Sequence, residues 1–174
     1  ARVFSRVNHS SARGIPINAE VKRNVFKLLV LDVGLLIYQT GLNLADLQNV
    51  DKLVCVNNGA LAEQLVGQHL LCRNDLYRTP VLHYWSREKA SSNAEVDYVI
   101  SVGAQIIPIE VKAGATGSLR SLNQFVSERQ LPLGLRFNTD MPSAVQTAGK
   151  LTTGKDYSYQ LVSLPLYMVE QTKR

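Results

Sequence analysis

Residues 95–112 read EVDYVISVGAQIIPIEVK, and this stretch decides the fold. Apolar and polar side chains alternate along Glu95–Ser101 and again along Gln105–Lys112, as they do in half-buried strands. Val102–Ala104 separates the two runs and contains Gly103, a residue that suits a tight turn. The stretch therefore predicts two antiparallel strands of a hairpin or meander.

The position of the turn also predicts which residues face each other. The midpoint between residues 97 and 110 is 103.5, so a hairpin folded at Gly103 sets Asp97 nearly opposite Glu110. Two carboxylates in that arrangement repel each other unless a positive charge lies between them. A divalent cation with oxygen ligands resolves the repulsion, and Mg²⁺ suits one or two carboxylates together with substrate phosphate and water. Asp97 and Glu110 are therefore candidate metal ligands.

Three further side chains belong to this candidate site. Lys112 shares the face of Glu110, where it can hold an attacking water or balance charge on a phosphate. Glu63, on the preceding predicted helix, can supply a third carboxylate. Glu95 alternates onto the face of Asp97, where it could be a spare metal ligand, but we expect it to form a salt bridge or serve the loop. The alternative interpretation is an ordinary ion pair on a solvated strand face.

The rest of the chain predicts an α/β domain around this hairpin. Strands are predicted at Val3–Val7, Lys27–Asp32, Val81–Trp85, Leu133–Phe137 and Tyr157–Val169, and helices at Val33–Thr40, at 60–73 and after Ser118. Asn43–Val54 is ambiguous, and the polar, glycine-rich Asn138–Lys155 is predicted to be a loop. This order favours an α/β sandwich with a mixed central sheet. Residues 1–57 are predicted to be an N-terminal appendage, the remnant of a linker or winged-helix module, and residues 58–174 the main domain.

Composition narrows the class of protein. The chain has 174 residues and a formal net charge of +5, with 45% hydrophobic and 19% charged residues, which is globular composition. Its apolar stretches fall short of the ~20 residues that a membrane-spanning helix needs, so no membrane association is expected. The two cysteines favour a reducing compartment, and we expect a cytoplasmic location. The mild basic excess permits contact with nucleic acid without requiring it.

The carboxylates and the lysine together resemble a known signature. Asp97, the triplet Glu110-Val111-Lys112 and the helical Glu63 are similar to the PD-(D/E)XK restriction-endonuclease-like superfamily. The strings EVDYVI and IPIEVKAG, with KLLVLDVGLL at Lys27–Leu36 and GALAEQLVGQHLL at Gly59–Leu71, narrow the resemblance. They resemble the C-terminal domain of unknown function that follows an AAA-type ATPase and a winged-helix module in many prokaryotic ATPases.

The resemblance implies a restriction-endonuclease-like three-layer α/β/α fold. It implies Asp97 and Glu110 as ligands of Mg²⁺ or Mn²⁺, Lys112 as the catalytic lysine and Glu63 as an accessory acid. The implied activity is metal-dependent hydrolysis of DNA or RNA, with an ATPase module upstream in a longer chain. The superfamily signature places proline before the aspartate, where this chain has Val96. The alternative is a catalytically inactive domain of the same fold that serves the ATPase as a nucleic-acid or protein interaction module.

Other residues are weaker candidates for contact with nucleic acid. The basic residues that could contact phosphates are Arg87 and Lys89 in the loop Ser86–Ala94, and Arg120 and Arg129 on the following helix. Solvated surface charge is the alternative for each of them. Tyr84 and Trp85 lie in an apolar strand, so we expect core packing and not base stacking.

A pattern near the C-terminus resembles a phosphate-binding loop but does not meet its requirements. The pattern Gly149-x-x-x-x-Gly154-Lys155 almost matches a phosphate-binding P-loop, but Asp156 stands where the motif requires a hydroxyl residue. A strand is predicted to follow, whereas a P-loop opens a helix. No ATP site is therefore expected in this chain.

Overall fold

A computed structural model of the chain describes residues 3–41, 58–72, 79–87, 94–114 and 117–173. The strands are β1 (Phe4–Ser10), β2 (Val21–Val30), β3 (Leu82–Ser86), β4 (Glu95–Val102), β5 (Gln105–Val111), β6 (Leu133–Asn138), β7 (Ser143–Lys150) and β8 (Asp156–Pro165). The α-helices are α1 (Val33–Gln39), α2 (Asn58–Cys72) and α3 (Arg120–Arg129), and short 3₁₀ helices cover Ile17–Glu20 and Leu166–Lys173.

All these strands lie in one mixed sheet. Their order across the described sheet is β2-β1-β3-β4-β5-β6-β8-β7. The pairs β1–β3, β5–β6 and β6–β8 are parallel, and the other neighbouring pairs are antiparallel. Helix α3 provides the crossover that parallel pairing of β5 with β6 requires. The predicted α/β class with a mixed sheet is confirmed.

Helices α2 and α3 cover opposite faces of the sheet. Ala62, Val66 and Leu70 of α2 pack in one core cluster with Ile109 and Val111 of β5. Leu122, Phe125 and Val126 are the buried residues of α3, and they pack in two other clusters. Ile106 of β5 belongs to the cluster that contains Phe125. Ile106 and Ile109 are an odd number of residues apart on the strand. Because successive side chains of a strand point to opposite faces, the sheet lies between the two helices.

The central hairpin folds as its sequence predicts. Tyr98 pairs with Ile109 and Val102 with Gln105, so the strands are antiparallel neighbours around the predicted turn. Gly103 has a φ of +57°, a left-handed conformation that glycine adopts without steric cost. In this register the positions of Asp97 and Glu110 follow directly after the last paired residues.

The predicted loop over Asn138–Lys155 is wrong. Its middle forms β7, and every residue from Ser143 to Lys150 pairs with β8. β7 is an edge strand, and most of its side chains are exposed on both faces of the sheet. Such a strand lacks the alternation of apolar and polar residues that marks a half-buried one. The final strand ends at Pro165, the residue predicted to interrupt the run Tyr157–Val169, and a 3₁₀ helix follows.

The N-terminal strands are part of the same sheet. β1 lies between β2 and β3 and runs parallel to β3, with Val7 paired to Leu82 and His9 to Tyr84. The predicted division after residue 57 stays a prediction, and the ambiguous segment Asn43–Val54 lies outside the described residues. Within the described ranges, no helix is long and apolar enough to cross a membrane.

Candidate functional site

The candidate site begins where β4 and β5 stop pairing. After the Tyr98–Ile109 pair, the main-chain amide of Val111 donates to Oδ2 of Asp97 over 2.7 Å. The side chain of Asp97 therefore accepts the hydrogen bond of a strand amide at the end of the ladder. This contact fixes one carboxylate oxygen.

Glu110 is a buried carboxylate in contact with the ammonium of Lys112. Its residue is only 5% exposed, and Nζ of Lys112 lies 2.6 Å from its Oε1. The other oxygen, Oε2, is buried without a hydrogen-bond partner in the part of the chain that the structure describes. Burial raises the pKa of Glu110, and the hydrogen bond and charge of Lys112 oppose that shift. An unpartnered carboxylate oxygen is costly to bury, and a bound cation would remove that cost.

A second lysine joins two further carboxylates. Nζ of Lys27, on β2, lies 2.8 Å from Oε1 of Glu63 and 2.5 Å from Oε1 of Glu95. One carboxylate oxygen from each of Glu63, Glu95 and Asp97 lies within 4.8 Å of the others. The structure thus brings Glu63 beside Asp97, and the salt bridge predicted for Glu95 is confirmed. Lys27 had no sequence signal that pointed to the site.

Helix α2 is held tightly enough to fix the position of Glu63. The hydroxyl of Tyr98 donates to the main-chain carbonyl of Glu63 over 2.8 Å. The side-chain amide of the next residue, Gln64, bonds the amide and the carbonyl of Val30 over 3.0 and 2.7 Å. Gly67, one turn further, faces the Tyr98 ring with no room for a side chain. The helix therefore meets β4 and the end of β2 at a fixed distance.

The site holds more negative charge than its lysines neutralise. Glu63, Glu95 and Asp97 form the group of mutually close carboxylates, and Glu110 lies outside that group but near enough for its charge to act on Asp97. Among the described residues, Lys27 and Lys112 are the cations in contact with these carboxylates. Burial, followed by the negative charges of Glu110 and Glu63, raises the pKa of Asp97 to about 7, and its hydrogen bond from Val111 opposes the shift. Carboxylate oxygens with excess negative charge are the ligand set that Mg²⁺ or Mn²⁺ prefers.

The weaker candidates lie on β3 or at its end, on α3, or outside the described residues. Arg87 follows β3, with Nη2 3.8 Å from Oε1 of Glu128 on α3. Arg120 is exposed at the start of α3. Lys89 lies outside the described residues. Tyr84 and Trp85 are 5% and 4% exposed, so their predicted core packing is confirmed.

Fold and cluster together define an α/β protein with a candidate site of four carboxylates and two lysines at one end of its central strands. Residues 58–167 match the family model described as Domain of unknown function (DUF4143), which covers more than half of the chain. The chain therefore belongs to the DUF4143 family, which confirms the predicted resemblance to a domain of unknown function. No curated protein and no solved structure matches the chain.

Proposed function

We propose that this domain is a Mg²⁺-dependent phosphodiester hydrolase of the restriction-endonuclease-like kind, acting on DNA or RNA. The observation that carries the proposal is the environment of Glu110. This carboxylate is buried, one of its oxygens is unpartnered among the described residues, and it lies between Asp97 and Lys112 in the sequence order that the superfamily signature uses. A cation-binding role explains why such a carboxylate is retained in the interior.

Each residue of the cluster has a separate part in the proposed reaction. Asp97 and Glu110 would hold the metal, which lowers the pKa of a bound water and offsets charge on the phosphoryl group. Lys112 can reach a phosphoryl oxygen or the attacking water, and its contact with Glu110 keeps its ammonium at the site. Glu63 is the accessory acid, and its salt bridge with Lys27 orients it toward Asp97.

The fold supports this proposal at the level of architecture. The sheet lies between α2 and α3, and the two signature segments fall on adjacent antiparallel strands. That is the arrangement that a three-layer restriction-endonuclease-like fold requires. Val96, which replaces the signature proline, is fully buried and packs in the Phe125 cluster, so its role here is in the core. An upstream ATPase module and a cytoplasmic location belong to the same proposal.

A second candidate function is a non-catalytic interaction module of the ATPase. The observation that favours it is Lys27, because its ammonium already pairs with both Glu63 and Glu95 without a metal. A domain that has lost its metal would use such a lysine to keep the carboxylates together. In that case the fold would bind nucleic acid or protein and leave phosphodiesters intact.

A cleavage assay separates the two. The chain is incubated with single- and double-stranded DNA and RNA in Mg²⁺ or Mn²⁺, beside the variants Lys112→Ala and Lys150→Ala. Lys150 is an exposed lysine on β7 and serves as the matched control. We expect metal-dependent cleavage that Lys112→Ala lowers by about two orders of magnitude or more and Lys150→Ala leaves unchanged. Intact substrates in every metal, with the wild type folded, would favour the interaction module.

A further inference from the structure

A cleft of about 520 Å³ lies beside the end of β3 and is lined mainly by basic side chains. Its basic residues are Arg13 after β1, Lys22 on β2, Arg87 after β3, Arg129 at the end of α3 and Lys155 between β7 and β8. Glu128 is the carboxylate in the lining. Residues from five separate parts of the chain thus bring five positive charges and one negative charge to a single concave surface.

Arg129 is fixed in place before any ligand arrives. Its Nε and Nη2 donate to the main-chain carbonyl of Ser11 over 3.3 and 2.8 Å. Its guanidinium lies over the ring of Phe125, 5.4 Å from the centroid. Burial lowers the pKa of Arg129, the negative charges of Glu128 and Glu20 oppose that shift, and the positive charge of Arg13 adds to it. Because its conformation is already set, little side-chain entropy is lost when this arginine meets an anion.

Glu128 offsets only part of the positive charge of the described lining residues. Oε1 of Glu128 lies 3.8 Å from Arg87, and its Oε2 lies 3.7 Å from Arg129. The described lining residues carry a formal charge of +4, and Glu20, whose carboxylate accepts from the main-chain amide of Arg13, lowers the excess at this surface to +3. Guanidinium groups pair with phosphate through two parallel hydrogen bonds, which makes arginine-rich sites suited to phosphate groups. A concave site fits a strand of linked phosphates better than a flat membrane surface.

The cleft adjoins the carboxylate cluster through the sheet. Ser86, which lines the cleft, pairs with Glu95 of the cluster. The main-chain amide of Arg87 donates to the carbonyl of Ala94 over 2.8 Å. One end of the β3–β4 pair therefore carries both surfaces, one basic and one acidic.

We propose that this cleft binds the sugar-phosphate backbone of nucleic acid, without preference for base sequence, beside the carboxylate cluster. The proposal rests on the proposed function only in that a strand bound on the α3 side would have to pass around the end of the β3–β4 pair to reach Asp97, which lies beside Glu63 of α2. Trp85 lines the cleft but is 4% exposed and packs against Phe125, with ring centroids 5.1 Å apart, so it offers no face for base stacking. Contacts to phosphate alone predict binding that depends strongly on salt.

The test measures binding apart from cleavage. All proteins carry Asp97→Asn and are kept in EDTA, and a labelled DNA duplex of mixed sequence is titrated at about 50 to 200 mM salt. The cleft variant is Arg13→Glu/Lys155→Glu, and both residues are exposed. The control is Arg23→Glu/Lys150→Glu, which changes the net charge equally at exposed residues outside the cleft lining. Thermal unfolding verifies that each variant is folded.

We expect the cleft variant to bind at least about tenfold more weakly, with the slope of log affinity against log salt reduced by about 2. The control should lose less than about threefold, from the change in overall field alone. Equal losses in the two variants would overturn the proposal. The proposal would also be overturned if the protein with an unchanged cleft bound no duplex, or if it bound anionic lipid vesicles instead. Cleft-dependent binding without cleavage would leave this proposal standing while the hydrolase proposal fails.

Discussion

The main-chain amide of Val111 donates a hydrogen bond to Oδ2 of Asp97, and so a side chain ends the pairing of the two central strands. This contact holds the carboxylate of Asp97 among other acidic groups even though burial and repulsion disfavour its charged form. Protonation of Asp97 is therefore linked to the free energy of unfolding and, in the proposed site, to the binding of a metal ion.

Without metal, we expect the protein to lose stability as the pH rises from about 4 to about 7. The pKa of Asp97 is about 7 in the folded chain against an ordinary value of 3.8. Below both values each state is protonated and no difference arises. Between them the unfolded chain ionises while the folded chain keeps its proton, so the free energy of unfolding falls by about 2 to 4 kcal/mol. Urea unfolding in EDTA over this pH range measures the effect. Asp97→Asn should flatten the profile, and identical profiles for the two proteins would contradict the assignment.

Millimolar Mg²⁺ or Mn²⁺ should raise the melting temperature at neutral pH. A cation that binds only the folded state stabilises it by mass action, by about 2.7 kcal/mol at a hundredfold excess over Kd. Glu110→Gln removes a proposed ligand and should abolish most of the increase. Asp156→Asn, at an exposed carboxylate on β8, is the control and should leave it intact. An increase that is the same in all three proteins would point to non-specific binding.

Lys27→Met should destabilise the metal-free protein by about 1 to 2 kcal/mol, because Glu63 and Glu95 then lose their cation. The same variant should gain more stability from added Mg²⁺ than the wild type does. Lys150→Met is the matched control, because Lys150 and its partner Asp156 are 76% and 77% exposed and 4.0 Å apart. An exposed pair of that kind contributes little. A Lys27→Met protein as stable as the wild type would show that Lys27 does not hold the carboxylates together.

Gly67→Ala should destabilise the protein although alanine is the better helix former. Alanine gains about 1 kcal/mol over glycine within a helix. At Gly67, however, a Cβ atom would lie 2.7 Å from Cδ1 of Leu29 and 2.8 Å from Cζ of Tyr98. Both neighbours are buried, and the overpacking should cost about 1 to 3 kcal/mol, so steric repulsion wins. Gly59→Ala is the control in the same helix, because a Cβ there meets nothing within 4 Å. Thermal unfolding compares the two, and a more stable Gly67→Ala would contradict the close helix–sheet contact.

Local sequence signals are enough to predict the central hairpin. Gly103 marks the turn, and the register of two antiparallel strands then follows from residue numbers alone. That register is why the sequence by itself predicts Asp97 and Glu110 as neighbours. The alternation of side chains along Glu95–Ser101 likewise sets Glu95 on the face of Asp97 and predicts an ion pair there, although it does not identify the partner, Lys27.

The features that sequence reasoning misses depend on contacts between distant parts of the chain. Lys27 reaches the site because β2 and α2 lie side by side, and nothing in its own sequence neighbourhood shows this. The basic cleft gathers residues from Arg13 to Lys155, so no short motif contains it. β7 is formed by main-chain pairing with β8, and its side chains carry no burial pattern.

Because β1 lies between β2 and β3, the N-terminal strands belong to the sheet, and exchanging them for another segment would change the candidate site. The family match begins at residue 58, whereas Lys27 is supplied by β2, before that point. If the segment before residue 58 were exchanged for one from another protein, Glu63, Asp97, Glu110 and Lys112 would remain. The ammonium of Lys27, which Glu63 and Glu95 share, would be replaced. The residues that match the family would then be unchanged, while the net charge at their acidic cluster would depend on the residue that the new segment places at the position of Lys27.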